Sequence, residues 1–159
     1  MPELESLLER LVQNRVAFAV VGGFAAVAHG VSLLTEDVDV CCRFTPANLL
    51  RLQAALKDLH PVHRMTAARL PLILTRQDCA RLKNLYLDTD YGQLDCLGEV
   101  KGIGDYREVA RHSVLVELPF GSCRVLGIDA LIRSKEAMDR PRDRAAIVQL
   151  RAIKERSRR

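Results

Sequence analysis

Residues 16–42 read VAFAVVGGFAAVAHGVSLLTEDVDVCC, and this stretch decides the fold. Residues 16–21 form a continuous apolar run with three valines, which is typical of a strand buried on both faces. Gly22 and Gly23 then predict a turn, followed by a short helix that Gly30 ends. The stretch therefore predicts a strand, a glycine turn, a helix, a loop and a second strand, in that order.

Two carboxylates lie two residues apart in the second strand, at Asp37 and Asp39. Side chains alternate along a strand, so both acids share one face while Val38 and Val40 point into the core. Adjacent carboxylates repel each other unless a cation or a shared proton neutralises them. Because these oxygen ligands follow a glycine turn that opens a helix, the pattern predicts Mg²⁺ and a bound phosphate.

The motif VGG at residues 21–23, thirteen further residues and then DVDV at 37–40 resembles the signature of the polymerase-beta-like nucleotidyltransferase superfamily. The string GGFAAVAHG and Thr35 resemble its small bacterial branch of minimal nucleotidyltransferases and nucleotidyltransferase-like toxins and antitoxins. The resemblance implies one α/β domain over residues 1–159, with a small mixed β-sheet, helices mainly on one side and two C-terminal helices. The alternative is a plain turn followed by a solvated edge strand.

The resemblance implies an enzyme that moves a nucleoside monophosphate from an NTP donor to a hydroxyl. Asp37, Asp39 and Asp95 would be its catalytic residues and metal ligands, and would hold two Mg²⁺ ions. Asp95 is the candidate for the third acid because it stands alone in the apolar strand QLDCL; the alternative is an acid paired with an arginine. Backbone N–H groups at Gly22 and Gly23 would cradle the phosphates.

A second charged group, SKEAMDRPRD at residues 134–143, resembles the Lys…Arg-x-Lys-Asp segment of the same branch. By this resemblance Lys135 would reach the triphosphate, and Asp143 would fix Lys135 or Arg140. With Thr35 and the two glycines, these three residues complete the predicted nucleotide-binding set. The alternative is a charged junction between two helices.

One position departs from the resembled pattern. Relatives often carry an arginine two residues before the threonine, and this chain has Leu33 there. If that arginine contacts phosphate, its absence favours a weakened enzyme or a protein that only binds. His29 closes the first short helix, and we expect a structural role for it there rather than a catalytic one.

The composition is that of an ordinary globular domain. Of its 159 residues, 48% are hydrophobic and 28% are charged, and the formal charge of +4 suits an anionic ligand. Aromatic residues make up only 4%, which excludes a row of base-stacking side chains. Five cysteines without a Cys-x-x-Cys spacing, and no signal-peptide or membrane-spanning pattern, predict a cytoplasmic protein.

The remaining periodicity predicts two hairpins and four further helices. The hairpins pair 84–88 with 91–97 and 114–118 with 123–126. The helices cover 3–14, a run from Thr45 to about residue 60, residues 130–137 with Asp129 as the cap, and a last helix from Pro141. Residues 60–83 are hard to interpret; the string PLILT at 71–75 predicts a short strand, and KGIGDY at 101–106 predicts a loop.

The acceptor and the partners stay open on sequence alone. The acceptor hydroxyl can belong to RNA, to a protein or to a small molecule, and the partners considered are tRNA, a cognate toxin or antitoxin and a second copy of the chain. One rival function is a catalytically inactive antitoxin that keeps the fold. Another is an antibiotic nucleotidyltransferase, which needs an acidic pocket for a cationic drug; the positive charge of the chain argues against it.

Overall fold

The structure is a computed structural model that describes residues 3–158; residues 1, 2 and 159 of the predicted domain lie outside the described part. The strands are β1 (Phe18–Val21), β2 (Asp37–Cys42), β3 (Val62–His63), β4 (Asn84–Thr89), β5 (Gly92–Leu97), β6 (Glu99–Val100), β7 (Gly104–Asp105), β8 (Ser113–Leu118) and β9 (Gly121–Leu126). The helices are α1 (Leu4–Gln13), α2 (Gly22–Ala28), α3 (Pro46–Leu56), α4 (Arg76–Cys79), α5 (Tyr106–Arg111), α6 (Ile128–Met138) and α7 (Arg144–Ser157).

The sheet is mixed, as predicted, and its strand order is β3-β4-β5-β2-β1-β9-β8. Every residue of β1 is buried, which confirms the prediction from its apolar run. The strands β1 and β2 pair antiparallel, with Val21 opposite Asp39. Two pairs are parallel, β2 with β5 and β1 with β9. The small sheet formed by β6 and β7 stands apart from this one.

The parallel pairing of β2 with β5 determines which side chains meet in the middle of the sheet. Its register sets Asp37 beside Gln93 and Asp39 beside Asp95. Partners in register point to the same face, because side chains alternate in step along paired strands. The fold therefore brings the lone acid of β5 next to the acid pair of β2.

The largest fully buried side chains of the core are leucines, contributed by the helices and by the sheet. Leu7, Leu8 and Leu11 form the buried stripe of α1, and each fully buried leucine stabilises the fold by about 2 kcal/mol. Helix α3 begins as predicted, since Thr45 Oγ1 accepts a hydrogen bond from the Asn48 backbone N–H at 3.3 Å.

Both predicted hairpins are confirmed, as β4–β5 and β8–β9.

Three predictions are wrong: the strand at 71–75, the loop at 101–106 and the helix cap at Asp129. Residues 71–75 are not a strand; only Pro71 forms an isolated bridge with Val62, in the edge strand β3. The loop predicted at 101–106 contains β7 and ends at α5, which the Asp105 side chain caps by accepting from the Glu108 N–H.

Asp129 is not the cap of α6. Gly127 occupies that position, and the Asp129 carboxylate pairs instead with Lys154 Nζ at 2.5 Å. Lys154, on helix α7, thus pairs with the carboxylate that the sequence pattern predicted to cap the backbone of α6. The prediction failed because the competing partner is distant in sequence.

All five cysteines lie buried as free thiols. They behave as small hydrophobic side chains in the core. Among the helices of residues 3–158, none is long and apolar enough to cross a membrane.

Candidate active site

The glycine turn approaches the acid pair so closely that a side chain cannot fit between them. Gly22 has φ +66°, in the left-handed region that glycine adopts readily. A Cβ atom at Gly22 would lie 2.6 Å from Asp39 Oδ2, whereas one at Gly23 would lie 3.4 Å from Leu33 Cδ2. Gly22 is therefore required both for its backbone conformation and for space.

Three carboxylates converge beside this turn. Asp37, Asp39 and Asp95 each offer one oxygen atom, and these oxygens all lie within 4.8 Å of one another. The Gln93 amide donates a hydrogen bond to Asp37 Oδ2 at 3.1 Å and so orients the first acid. The cluster arises from strand alternation on β2 and the parallel register with β5.

The chemistry of the cluster matches a divalent cation. Burial raises the pKa of Asp39 to about 6, and the charges of Asp37 and Asp95 add to the rise. Carboxylate oxygens are the ligands that Mg²⁺ prefers in proteins, and a cation would remove the repulsion among them. These three acids are the residues that would hold such an ion.

We expect Asp39→Asn to stabilise the metal-free protein at about pH 7.5 by ~3 kcal/mol, because raising the pKa of an acid from 3.8 to about 6 corresponds to this energy at about 1.4 kcal/mol per pH unit. An acid whose pKa is raised in the folded state destabilises the fold above that pKa, and the penalty disappears as the pH falls towards the unfolded value of 3.8. The gain should therefore vanish at about pH 4. Chemical denaturation in EDTA measures it.

The control for this experiment is Glu36→Gln, which removes an exposed acid close in sequence. It should change the free energy of unfolding by less than about 0.5 kcal/mol. A loss of stability in Asp39→Asn at both pH values would contradict the explanation by charge repulsion.

Asp95 also has the partner that the alternative interpretation required. Arg64 Nη2 lies 2.5 Å from Asp95 Oδ1, and both side chains are largely buried. Burial raises the pKa of Asp95, and the hydrogen bond from Arg64 opposes that rise. The acid is thus at once a member of the cluster and one half of an ion pair.

A buried ion-pair group lies across from the acids, at the junction of α6 and α7. Lys135 Nζ donates to Asp143 Oδ1 at 3.2 Å, and Arg140 Nε donates to Asp143 Oδ2 at 2.6 Å. Burial alone would raise the pKa of Asp143, but the hydrogen bonds from Arg140 and Lys135 lower it overall. Asp143 therefore fixes both cations, and Lys135 itself is only 5% exposed.

We expect Asp143→Asn to lower the free energy of unfolding by about 3 kcal/mol, because it leaves Lys135 as a buried charge without its anion. The loss should shrink as the pH falls below 3.8, since a carboxylate with a lowered pKa stabilises the fold only while it is ionised. The matched control is Asp129→Asn, whose pair with Lys154 is exposed and should cost less than about 1 kcal/mol. Equal losses in urea denaturation would contradict this assignment.

One cleft of about 420 Å³ joins the turn, the acid pair of β2 and the ion-pair group. It is lined by Gly22, Gly23, Leu33, Leu34, Thr35, Glu36, Asp37, Asp39, Lys135, Arg140, Arg142 and Asp143. The lining thus contains both carboxylates and cationic side chains, a combination that suits a polyanion carried on a metal ion.

The predicted site residues come together. Eight of the nine line the cleft, and Asp95 adjoins it through the acid cluster. Sequence reasoning missed Arg64 and Gln93; Arg64 lies in the stretch 60–83, where no pattern pointed to it. Leu33, which departs from the pattern that the sequence resembles, lines the cleft and is 46% exposed.

His29 has a structural contact. Its Nε2 atom lies 2.8 Å from the Leu126 carbonyl oxygen and ties the end of α2 to β9. No side chain of the acid cluster takes part in this contact. The histidine therefore supports the turn rather than the chemistry.

Comparison with known proteins gives the fold. No protein-family model and no curated protein matches the chain. Two structures of the antibiotic-resistance factor ANT(2'')-Ia are similar to it. A solution structure shows 16% identity and a TM-score of 0.55, over 94% of this chain and 79% of that one. A crystal structure with adenylyl-2''-tobramycin shows 14% and 0.54, over 97% and 95%.

At these identities the likeness concerns the fold. The predicted nucleotidyltransferase fold, with its small mixed sheet and two C-terminal helices, is confirmed. Any inference about activity therefore rests on the geometry of the cleft.

Proposed function

We propose that this protein transfers a nucleoside monophosphate from an NTP to a hydroxyl acceptor, with Mg²⁺. The observation that carries the proposal is a cleft that joins the glycine turn, Asp37 and Asp39 to the fixed Lys135–Asp143–Arg140 group, with Asp95 converging on the acid pair from the next strand. A ligand that satisfies both the acids and the cations carries several negative charges and a divalent cation. A magnesium nucleoside triphosphate has this chemistry.

The residues of the proposed site have different roles. Asp37, Asp39 and Asp95 would hold the ions, and Mg²⁺ supplies charge neutralisation and a lowered pKa of the acceptor hydroxyl when bound. Gly22 and Gly23 leave the backbone open to the phosphates, and Lys135 and Arg140 attract them. Thr35, at the cleft rim, would bind the nucleotide through its hydroxyl.

The reaction is an in-line substitution at the α-phosphorus. The acceptor oxygen forms the new bond to phosphorus while the bond to the bridging oxygen breaks, and pyrophosphate leaves. The hydroxyl proton passes to Asp95, which lies beside Asp39 in the register of the sheet. The protein contributes mainly positioning and charge, as is usual for phosphoryl chemistry.

An aminoglycoside is a second candidate acceptor. The alignment with ANT(2'')-Ia bound to adenylyl-2''-tobramycin covers nearly all of both chains. The sheet face beside the cleft carries four carboxylates, at Asp37, Asp39, Asp88 and Asp95. Arg64 and Arg69 pair with Asp95 and Asp88, whereas Asp37 and Asp39 form no ion pair within the described residues and so offer a cationic drug acidic partners. We propose a hydroxyl acceptor as the general class and treat RNA, protein and aminoglycoside as its possible members.

The test is transfer of label from each α-³²P-NTP in the presence of Mg²⁺. Separate reactions contain tobramycin, total tRNA, or a cell extract that supplies candidate protein acceptors, including a cognate toxin. Label on one acceptor, lost in EDTA, supports the proposal and names the acceptor. If no acceptor is labelled and the protein binds no magnesium nucleotide, the rival reading as an inactive antitoxin or other partner-binding protein replaces it. Light scattering of the same sample shows whether the protein works as a homodimer.

A further inference from the structure

A short turn at residues 63–70 covers the part of the sheet that carries Asp95, and we call it the arginine turn. The His63 N–H donates to the Leu70 carbonyl at 2.8 Å and closes the turn. The Arg64 N–H donates to the Tyr86 carbonyl on β4, also at 2.8 Å. The turn thus rests on the strand next to β5.

Both arginines of this turn reach acids of the sheet. Arg64 pairs with Asp95, and Arg69 Nη2 pairs with Asp88 Oδ2 at 2.5 Å. The Arg64 guanidinium also lies over the Tyr86 ring, 5.7 Å from its centre, and its side chain is only 23% exposed. Arg64 is therefore held in place, whereas Arg69 is more than half exposed.

A guanidinium and a divalent cation compete for the same carboxylate. Asp95 lies within 4.8 Å of Asp37 and Asp39, so an ion held by all three would sit close to the positive charge of Arg64. Two positive charges at this separation repel strongly in a partly buried site. Arg64, which pairs with Asp95 Oδ1, and an ion bound to Asp95 therefore weaken each other's contact with this carboxylate.

Resting on the proposed function, we propose that Arg64 is a positioning residue that keeps Asp95 out of the metal-ligand set. Within the described residues Asp37 and Asp39 form no ion pair, whereas Asp95 shares its charge with Arg64. On this proposal Asp95 binds an ion at full strength only when Arg64 moves away. The acid that completes the site is thus controlled by a residue outside the cleft.

The structure contains a second partner for Arg64. Asp88 Oδ1 lies 4.0 Å from Arg64 Nε. This Nε atom is buried and has no hydrogen-bond partner within the part of the chain that the structure describes. A small shift would let Nε donate to Asp88, so Arg64 can leave Asp95 without becoming an unpaired buried charge.

The experiment is a double-mutant cycle on the binding of Mn²⁺ alone. The free Mn²⁺ signal in electron paramagnetic resonance gives the affinity of the wild type, Asp95→Asn, Arg64→Gln and the double variant. We expect Asp95→Asn to change the affinity less than about twofold in the wild type, and at least about tenfold in the Arg64→Gln background. A purely structural arginine would not create this coupling.

Arg69→Gln is the matched control, because it removes the same charge from the same turn but leaves Asp95 paired. In that background Asp95→Asn should again have an effect below about twofold. Circular dichroism checks the fold, and Arg64→Met, which keeps an unbranched apolar side chain in place of the arginine stem, replaces Arg64→Gln if that variant does not fold.

The outcomes separate this inference from the proposed function. An equal effect of Asp95→Asn in all three backgrounds overturns the role of Arg64, while binding that depends on Asp37 leaves the proposed function standing. Absence of Mn²⁺ binding in every protein, including a sample with added ATP, overturns both.

Discussion

Asp37→Asn should lower the rate of nucleotidyl transfer by about 10²–10³-fold, because it removes one carboxylate charge from the cluster that holds the ions. Asn has the shape of Asp, and its side-chain oxygen can still accept the hydrogen bond from Gln93. The fold should therefore survive, and the loss should reflect charge alone. Initial rates of label transfer from the preferred NTP measure the effect.

The control is Glu99→Gln, which removes one carboxylate charge from an exposed acid in β6, two residues after the end of β5. Its transfer rate should stay within about twofold of the wild type. Transfer by Asp37→Asn within tenfold of the wild-type rate, with an unchanged circular dichroism spectrum, would remove Asp37 from the catalytic machinery.

Gly22→Ala should reduce transfer by about 100-fold and lower the free energy of unfolding by about 2 kcal/mol. The new methyl group would lie 2.6 Å from Asp39 Oδ2. An alanine at φ +66° is also strained, even where there is enough space for its side chain. Asp39 must move, so the carboxylate cluster loses its geometry. Thermal denaturation and the transfer assay report the two effects separately.

Gly23→Ala provides the comparison for stability. Its methyl group would meet only side-chain carbon atoms at ordinary contact distances, Leu33 Cδ2 at 3.4 Å and Thr35 Cγ2 at 3.5 Å, and alanine has a higher helix propensity than glycine. We expect its free energy of unfolding to match or exceed that of the wild type by up to about 1 kcal/mol. If both variants lose stability equally, the turn as a whole is sensitive and the specific contact with Asp39 is not the cause.

The sequence was sufficient to predict most of the cleft because the decisive patterns are local. Strand alternation sets Asp37 and Asp39 on one face, and the lone acid in the apolar β5 strand indicated Asp95. The arrangement of Lys135 with Asp143 came from a resemblance, and the structure shows the two side chains in contact. The roles of these residues in nucleotide binding stay predictions.

What the sequence did not reveal depends on contacts between distant segments. Arg64 lies in a stretch without periodicity, and nothing in its neighbourhood links it to Asp95, 31 positions later. The same holds for Lys154, which takes Asp129 away from the start of α6. A local pattern identifies an acid that needs a partner, but the cation that pairs with this acid is determined by the tertiary fold.

The two parallel strand pairs bear on how the chain folds. Asp37 and Gln93 are 56 positions apart, and β1 gains its second neighbour only when Ala19 meets Arg124 near the end of the chain. Closing such long loops is entropically unfavourable, so contacts of this kind form late and slow the search for the native state. During synthesis, one edge of β1 therefore stays unpaired until β9 has emerged from the ribosome. This edge is where a stalled or truncated chain would aggregate.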